Sequence, residues 1–138
     1  MGLDEGGPPV QVPARPLILL DTHALIWLDQ AHPRANSLAR GGRPTYISPA
    51  TLLELQFLEE SGRLRLPKGN PQVLAVDDRW VLDDPPAASW FAIALELSWT
   101  RDPFDRLIAA HARLRGWRLA TADEVLLKGL GARHTVEL

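Results

Sequence analysis

The chain contains no cysteine. That excludes a disulfide framework, a thiol nucleophile and a cysteine-based zinc site, and it fits a reducing compartment. Lysine is nearly as scarce, with only Lys68 and Lys128, so almost all the positive charge is arginine. No apolar run is long enough to cross a bilayer, so no membrane partner is expected. The opening residues also lack the basic start and apolar stretch of a secretory signal, and cytoplasmic residence is the expectation. Neither Gly6-Gly7 nor Gly41-Gly42 follows a strand as a phosphate-cradling loop must. Ser48, Ser61, Ser89 and Ser98 lack the context of a nucleophile elbow. His23, His32, His111 and His134 show no metal-ligand spacing among themselves. His111 is expected to be half-buried, and a role for His23 is limited to touching substrate beside Asp21.

What remains is a chain of ordinary globular composition. It has 138 residues, 46% hydrophobic and 23% charged, which suits one domain with a single core. Residues 1–16 are rich in glycine and proline and read as a flexible leader, with the domain over 17–138. A net charge of −2 argues against non-specific duplex binding. Arginine forks onto phosphate, however, so local phosphate contact stays open. The five tryptophans are expected to fill core and partner surfaces, base stacking being a minority role.

Hydrophobic patterning predicts alternating strands and helices. Leu17-Ile18-Leu19-Leu20 reads as a buried parallel strand, and Thr22 can cap the helix through Ala24 to Leu28. A short helix from Pro33 to Arg40 ends at Gly41-Gly42. Thr45-Tyr46-Ile47 is a second strand, and Ser48-Pro49 opens a helix to about Ser61. Between Lys68 and Pro86 the pattern is least legible, with a helical turn at Pro71 to Ala75 and a strand at Trp80-Val81-Leu82. A helix over Ala87 to Trp99 follows, then one from Asp102-Pro103 to Arg115. Trp117 to Ala120 is a fourth strand, Asp123 to Lys128 a short helix, and Thr135 to Leu138 a last strand. Such alternation implies a parallel sheet covered on both faces, with sites beyond the carboxyl ends of its strands.

Acidic residues fall at those ends. Asp21 follows the first strand, Glu54 lies early in the helix after the second, Asp102 and Asp105 open the helix before the fourth, and Asp123 follows the fourth. Carboxylates gathered without His or Cys suit hard cations such as Mg²⁺ or Mn²⁺. Without a metal they would repel one another and raise their own pKa values. Each acid also has a purely structural use. Asp21, Asp102 and Asp123 can cap helices, Asp105 suits a first helical turn, and Glu54 can be a solvated helical residue. Their joint position on one sheet rim is what favours chemistry.

The stretch Leu19-Leu20-Asp21-Thr22-His23-Ala24-Leu25-Ile26-Trp27-Leu28 resembles the opening motif of PIN-domain toxins of the VapC type. Ser48 to Leu66, with Ser61-Gly62-Arg63-Leu64 at its end, resembles their second motif. Arg101-Asp102-Pro103-Phe104-Asp105-Arg106-Leu107-Ile108-Ala109-Ala110-His111-Ala112 resembles their most recognisable block, and Leu119-Ala120-Thr121-Ala122-Asp123 their last. Thr100 stands where the subfamily often has His. The resemblance implies a three-layer α/β/α sandwich, an Mg²⁺ or Mn²⁺ site, endonucleolytic RNA cleavage, a homodimer and a cognate antitoxin. It carries the acidic quartet onto Asp21, Glu54, Asp105 and Asp123, an additional acid onto Asp102, and a supporting hydroxyl onto Thr121.

The expected function is therefore hydrolysis of single-stranded or looped RNA by a metal-activated water. Arg63, Arg101 or Arg106 would neutralise phosphates. Two rivals are a non-catalytic PIN-fold module that binds RNA or a partner, and a phosphotransferase with a nucleophilic Asp21. The second wants an Asp-x-Asp start, and Thr22-His23 follow Asp21 instead.

Overall fold

The computed structural model describes residues 17–66 and 70–138. The leader expected over residues 1–16, and Lys68, lie outside the described residues. Strands β1 (Ile18–Leu20), β2 (Thr45–Ile47), β3 (Val81–Leu82), β4 (Arg118–Thr121) and β5 (Thr135–Glu137) form one parallel sheet in the order β3-β2-β1-β4-β5. The helices are α1 (Thr22–Asp29), α2 (Asn36–Arg40), α3 (Pro49–Glu60), α4 (Pro71–Ala75), α5 (Ala87–Glu96), α6 (Pro103–Arg115) and α7 (Glu124–Leu130).

Strand alternation builds the layers. Ile18 and Leu20 of β1 point to one face and join Ile47, Ala120, Ala24, Leu25, Leu38 and Leu74 in one core. Leu19 points the other way and joins Leu119, Trp90, Ala94, Ile108 and Leu126 in the second. Helices α1, α2 and α4 thus cover one face and α5, α6 and α7 the other, the expected three-layer sandwich. Helix α3 reaches both, with Leu55 in the first core and Ala50 in the second. Because every strand runs the same way, the chain leaves the sheet after Leu20, Ile47, Leu82 and Thr121 along one rim.

Four expectations are corrected. The cap of α1 is Asp21, not Thr22: the Asp21 carboxylate accepts from the Ala24 N–H at 2.7 Å. The segment from Pro33 splits into a 3₁₀ turn (Pro33–Ala35) and α2. Helix α5 stops at Glu96 rather than Trp99, because the Trp99 indole lies against Gly129 of α7, where an added Cβ would meet it at 2.3 Å. Strand β4 begins and ends one residue later than expected. Trp117 instead packs its ring on Tyr46, with centroids 4.5 Å apart.

Candidate functional site

Five carboxylates from separate stretches of chain, Asp21, Glu54, Asp102, Asp105 and Asp123, line one cavity of about 590 Å³ at the carboxyl-end rim of the sheet. Three of them arrive as helix caps. Asp21, Asp102 and Asp123 are the N-caps of α1, α6 and α7, each accepting backbone N–H groups of its own helix. The structural and the functional reading of these acids therefore coexist. Capping spends one oxygen: Asp102 Oδ1 takes the N–H groups of Phe104 and Asp105 at 2.8 and 3.1 Å, and Asp123 Oδ1 those of Val125 and Leu126 at 2.8 and 3.1 Å. Their Oδ2 atoms hold no hydrogen bond among the described residues and are available to the cavity.

The other acids are positioned by hydroxyls and helix geometry. Thr121, at the end of β4 and fully buried, stands by the Asp21 carboxylate, and its hydroxyl favours the charged form of that acid. Its Oγ1 accepts the Asp123 N–H at 3.0 Å. Thr22, also buried, donates to Glu54 Oε1 at 2.5 Å and so ties α1 to α3 across the cavity. That brace was not foreseen in the sequence. Its signal, a threonine directly after a strand-end Asp, reads as a cap when taken alone. Asp105 lies in the first turn of α6 and makes no ion pair among the described residues.

The electrostatics follow from this crowding. Burial, then the neighbouring Asp102, Asp123, Glu54 and Asp21 carboxylates, push the Asp105 carboxyl up to about 7. Burial raises Asp21 despite the Thr121 hydroxyl, the Ala24 N–H and the nearby His23. Burial also raises Glu54, against the Thr22 hydrogen bond and with Asp102 adding repulsion. Carboxylates held at this cost are what a divalent cation would relieve, and an all-oxygen donor set matches the hard ions Mg²⁺, Mn²⁺ and Ca²⁺. As placed, no three His, Cys, Asp or Glu side chains among the described residues stand close enough to hold one ion. The charge and donor type fit a cation; closing the ligands onto it requires side-chain rotation.

The three candidate arginines separate. Arg63 lines the cavity. Arg106 instead donates Nε to the Thr100 carbonyl at 2.7 Å, and Arg101 is exposed away from the lining. His23 also lines the cavity, as do Gln30 of the α1 C-cap and Leu58 and Leu64, which the sequence reading left unassigned. His111 is not half-buried but fully enclosed, with Nε2 2.7 Å from Asp83 Oδ2, and Arg115 holds the same carboxylate at 2.8 Å. Burial lowers its pKa, against the Asp83 carboxylate.

Residues 18–129 match the family described as the PIN domain. Over 119 residues the chain is 35% identical to Ribonuclease VapC22 of Mycobacterium tuberculosis (strain ATCC 25618 / H37Rv), spanning 79% of this chain and 88% of that protein. Among solved structures it resembles VapBC2 from Rickettsia felis bound to a DNA fragment from their promoter, at TM-score 0.64 and 20% identity over 88% of this chain and 98% of that one. A toxin-antitoxin complex from Klebsiella pneumoniae matches at TM-score 0.59 and 19% identity, over 88% and 99%. At these identities the structural likenesses carry the fold alone.

Proposed function

Because the chain belongs to the PIN-domain family, we propose that it is a metal-dependent endoribonuclease acting as the toxin of a toxin–antitoxin pair. The observation that carries this reading is the single cavity lined by Asp21, Glu54, Asp102, Asp105 and Asp123. Its 35% identity to a ribonuclease supports the reaction class. The substrate is single-stranded or looped RNA, whose phosphodiester is the scissile group.

Asp21, Glu54, Asp105 and Asp123 would hold Mg²⁺ or Mn²⁺, with Asp102 adding charge from the start of α6. A bound divalent ion supplies polarisation of the phosphodiester and a lowered pKa for its water. The protein's own part is orientation. Thr121 fixes Asp123 at the start of α7, the Ala24 N–H fixes Asp21, Thr22 fixes Glu54, and Arg63 meets a phosphate at the cavity wall.

The partners follow the same reading. A cognate antitoxin would bind this chain, a partner of the kind printed for the Klebsiella pneumoniae toxin-antitoxin complex of similar fold. A second copy would cover α5, where Ala88, Phe91, Ala92 and Leu95 are exposed at helical spacing, Leu95 by 79%. Leu95→Glu should then yield a monomer by light scattering.

The test is RNA cleavage with Mg²⁺ or Mn²⁺ and a chelator control. Asp21→Asn should lower the rate about 100-fold or more while circular dichroism stays native. Full activity of that purified variant, or cleavage that survives the chelator, overturns the proposal. Saturable RNA binding without any cleavage would favour the non-cutting module.

A further inference from the structure

The lining of the cavity is of two chemical kinds. The acids occupy the strand rim. The remaining lining carries no carboxylate: His23, Ile26 and Gln30 stand on α1, and Leu58, Arg63 and Leu64 at the end of α3 and just beyond it. Two of these side chains have polar groups to spare. Arg63 donates Nε to Ser61 Oγ at 3.3 Å and meets no carboxylate among the described residues. Gln30 is exposed, and its side-chain amide has no hydrogen bond among the described residues. A third is braced. The exposed His23 ring leans on Trp27 at 6.3 Å, and Trp27 is held by the stacked His32 ring at 5.3 Å and the Arg34 guanidinium at 4.8 Å.

We propose that this uncharged and basic part of the lining is a nucleotide subsite that reads one unpaired base next to the scissile phosphate. Arg63, the one guanidinium of the lining among the described residues, neutralises the adjoining phosphate. Ile26, Leu58 and Leu64 give the base an apolar bed, and the His23 ring offers a face to stack on. Gln30 presents a donor and an acceptor side by side, which matches N7 and the 6-amino group of adenine. The cavity's 590 Å³ falls in the range of sites that enclose a small ligand. The subsite rests on the nuclease reading only for what the acidic part of the lining does.

Two measurements test it. First, a randomised RNA pool is cut with Mn²⁺ and the new ends are sequenced. The wild type should enrich adenine at one fixed position beside the cut, and Gln30→Ala should level that preference. Arg63→Ala should raise KM about tenfold, the loss falling more on KM than on kcat. Second, fluorescence anisotropy with labelled ten-nucleotide homopolymers in Ca²⁺ reads the subsite without cleavage. Oligo-adenylate should bind tightest, Arg63→Ala should weaken it about tenfold, and Gln30→Ala should equalise the four polymers. Base-dependent binding without cutting would leave the subsite standing and remove the nuclease reading. Cutting and binding indifferent to both substitutions would overturn the subsite.

Discussion

Asp105 is crowded by the other carboxylates of the cavity. Its carboxyl, pushed up to about 7 in the folded chain, sits near 3.8 when unfolded. Between those values the folded chain holds a proton that the unfolded chain has released. Folding is therefore tighter in acid; the penalty grows as pH rises from 3.8 toward 7 and is complete above that. Solvent still reaches the carboxyl and screens it, so the penalty at pH 8 is about 1–2 kcal/mol, less than the shift alone implies. Asp105→Asn should raise the metal-free melting temperature at pH 8 and flatten its fall between pH 5 and 8. An unchanged slope would deny the repulsion. Asp123 shows the opposite balance, because it caps α7. Asp123→Ala should cost about 0.5–2 kcal/mol in denaturant melts, whereas Asp123→Asn keeps the cap and loses the charge. Stability should follow the cap and cleavage the carboxylate; if both variants lose both properties, the two roles are not separable. The caps were legible in the sequence because an acid before Pro103 or Glu124 is a local signal. The brace of Glu54 by Thr22, and the pairing of His111 with Asp83, join residues far apart in the chain, and no local pattern announces them.

At the scale of elements, the long periodic segments were readable and the compensated ones were not. Helix α6 runs from its Asp102 cap to Gly116, whose φ of 71° supplies the left-handed turn that ends it. Both signals are local. Helix α5 stops three residues early because of a tertiary contact, the Trp99 ring seated on Gly129. That glycine is needed for space rather than for backbone freedom. Gly129→Ala would set a methyl 2.3 Å from the indole, and despite alanine's better helix propensity it should destabilise the fold by about 1–3 kcal/mol. Chemical denaturation checks this; a stabilised variant would mean the ring moves aside freely. The region from Leu66 to Ala87 was the least legible because its elements are short, although the turn at Pro71 to Ala75 and the strand through Val81-Leu82 were both read. Helix α4 has five residues and β3 two, too few for a period to declare itself.

The whole molecule joins a conventional sandwich to a cavity whose charge the fold alone does not balance. An ion that binds only the folded form stabilises it by mass action. At a hundredfold excess of Mn²⁺ over Kd the gain is about 2.7 kcal/mol, seen as a melting shift of several degrees that a chelator reverses. Asp21→Asn should shrink the shift; an equal shift in that variant would place the ion elsewhere. The topology has a temporal side as well. Strand β1 carries Asp21 at the centre of the sheet, yet its neighbour β4, with Thr121 and then Asp123, comes about a hundred residues later in the chain. At about 5–20 residues per second, a ribosome needs several seconds to travel from one to the other. A nascent chain therefore carries only part of the acidic cavity while most of it is being made.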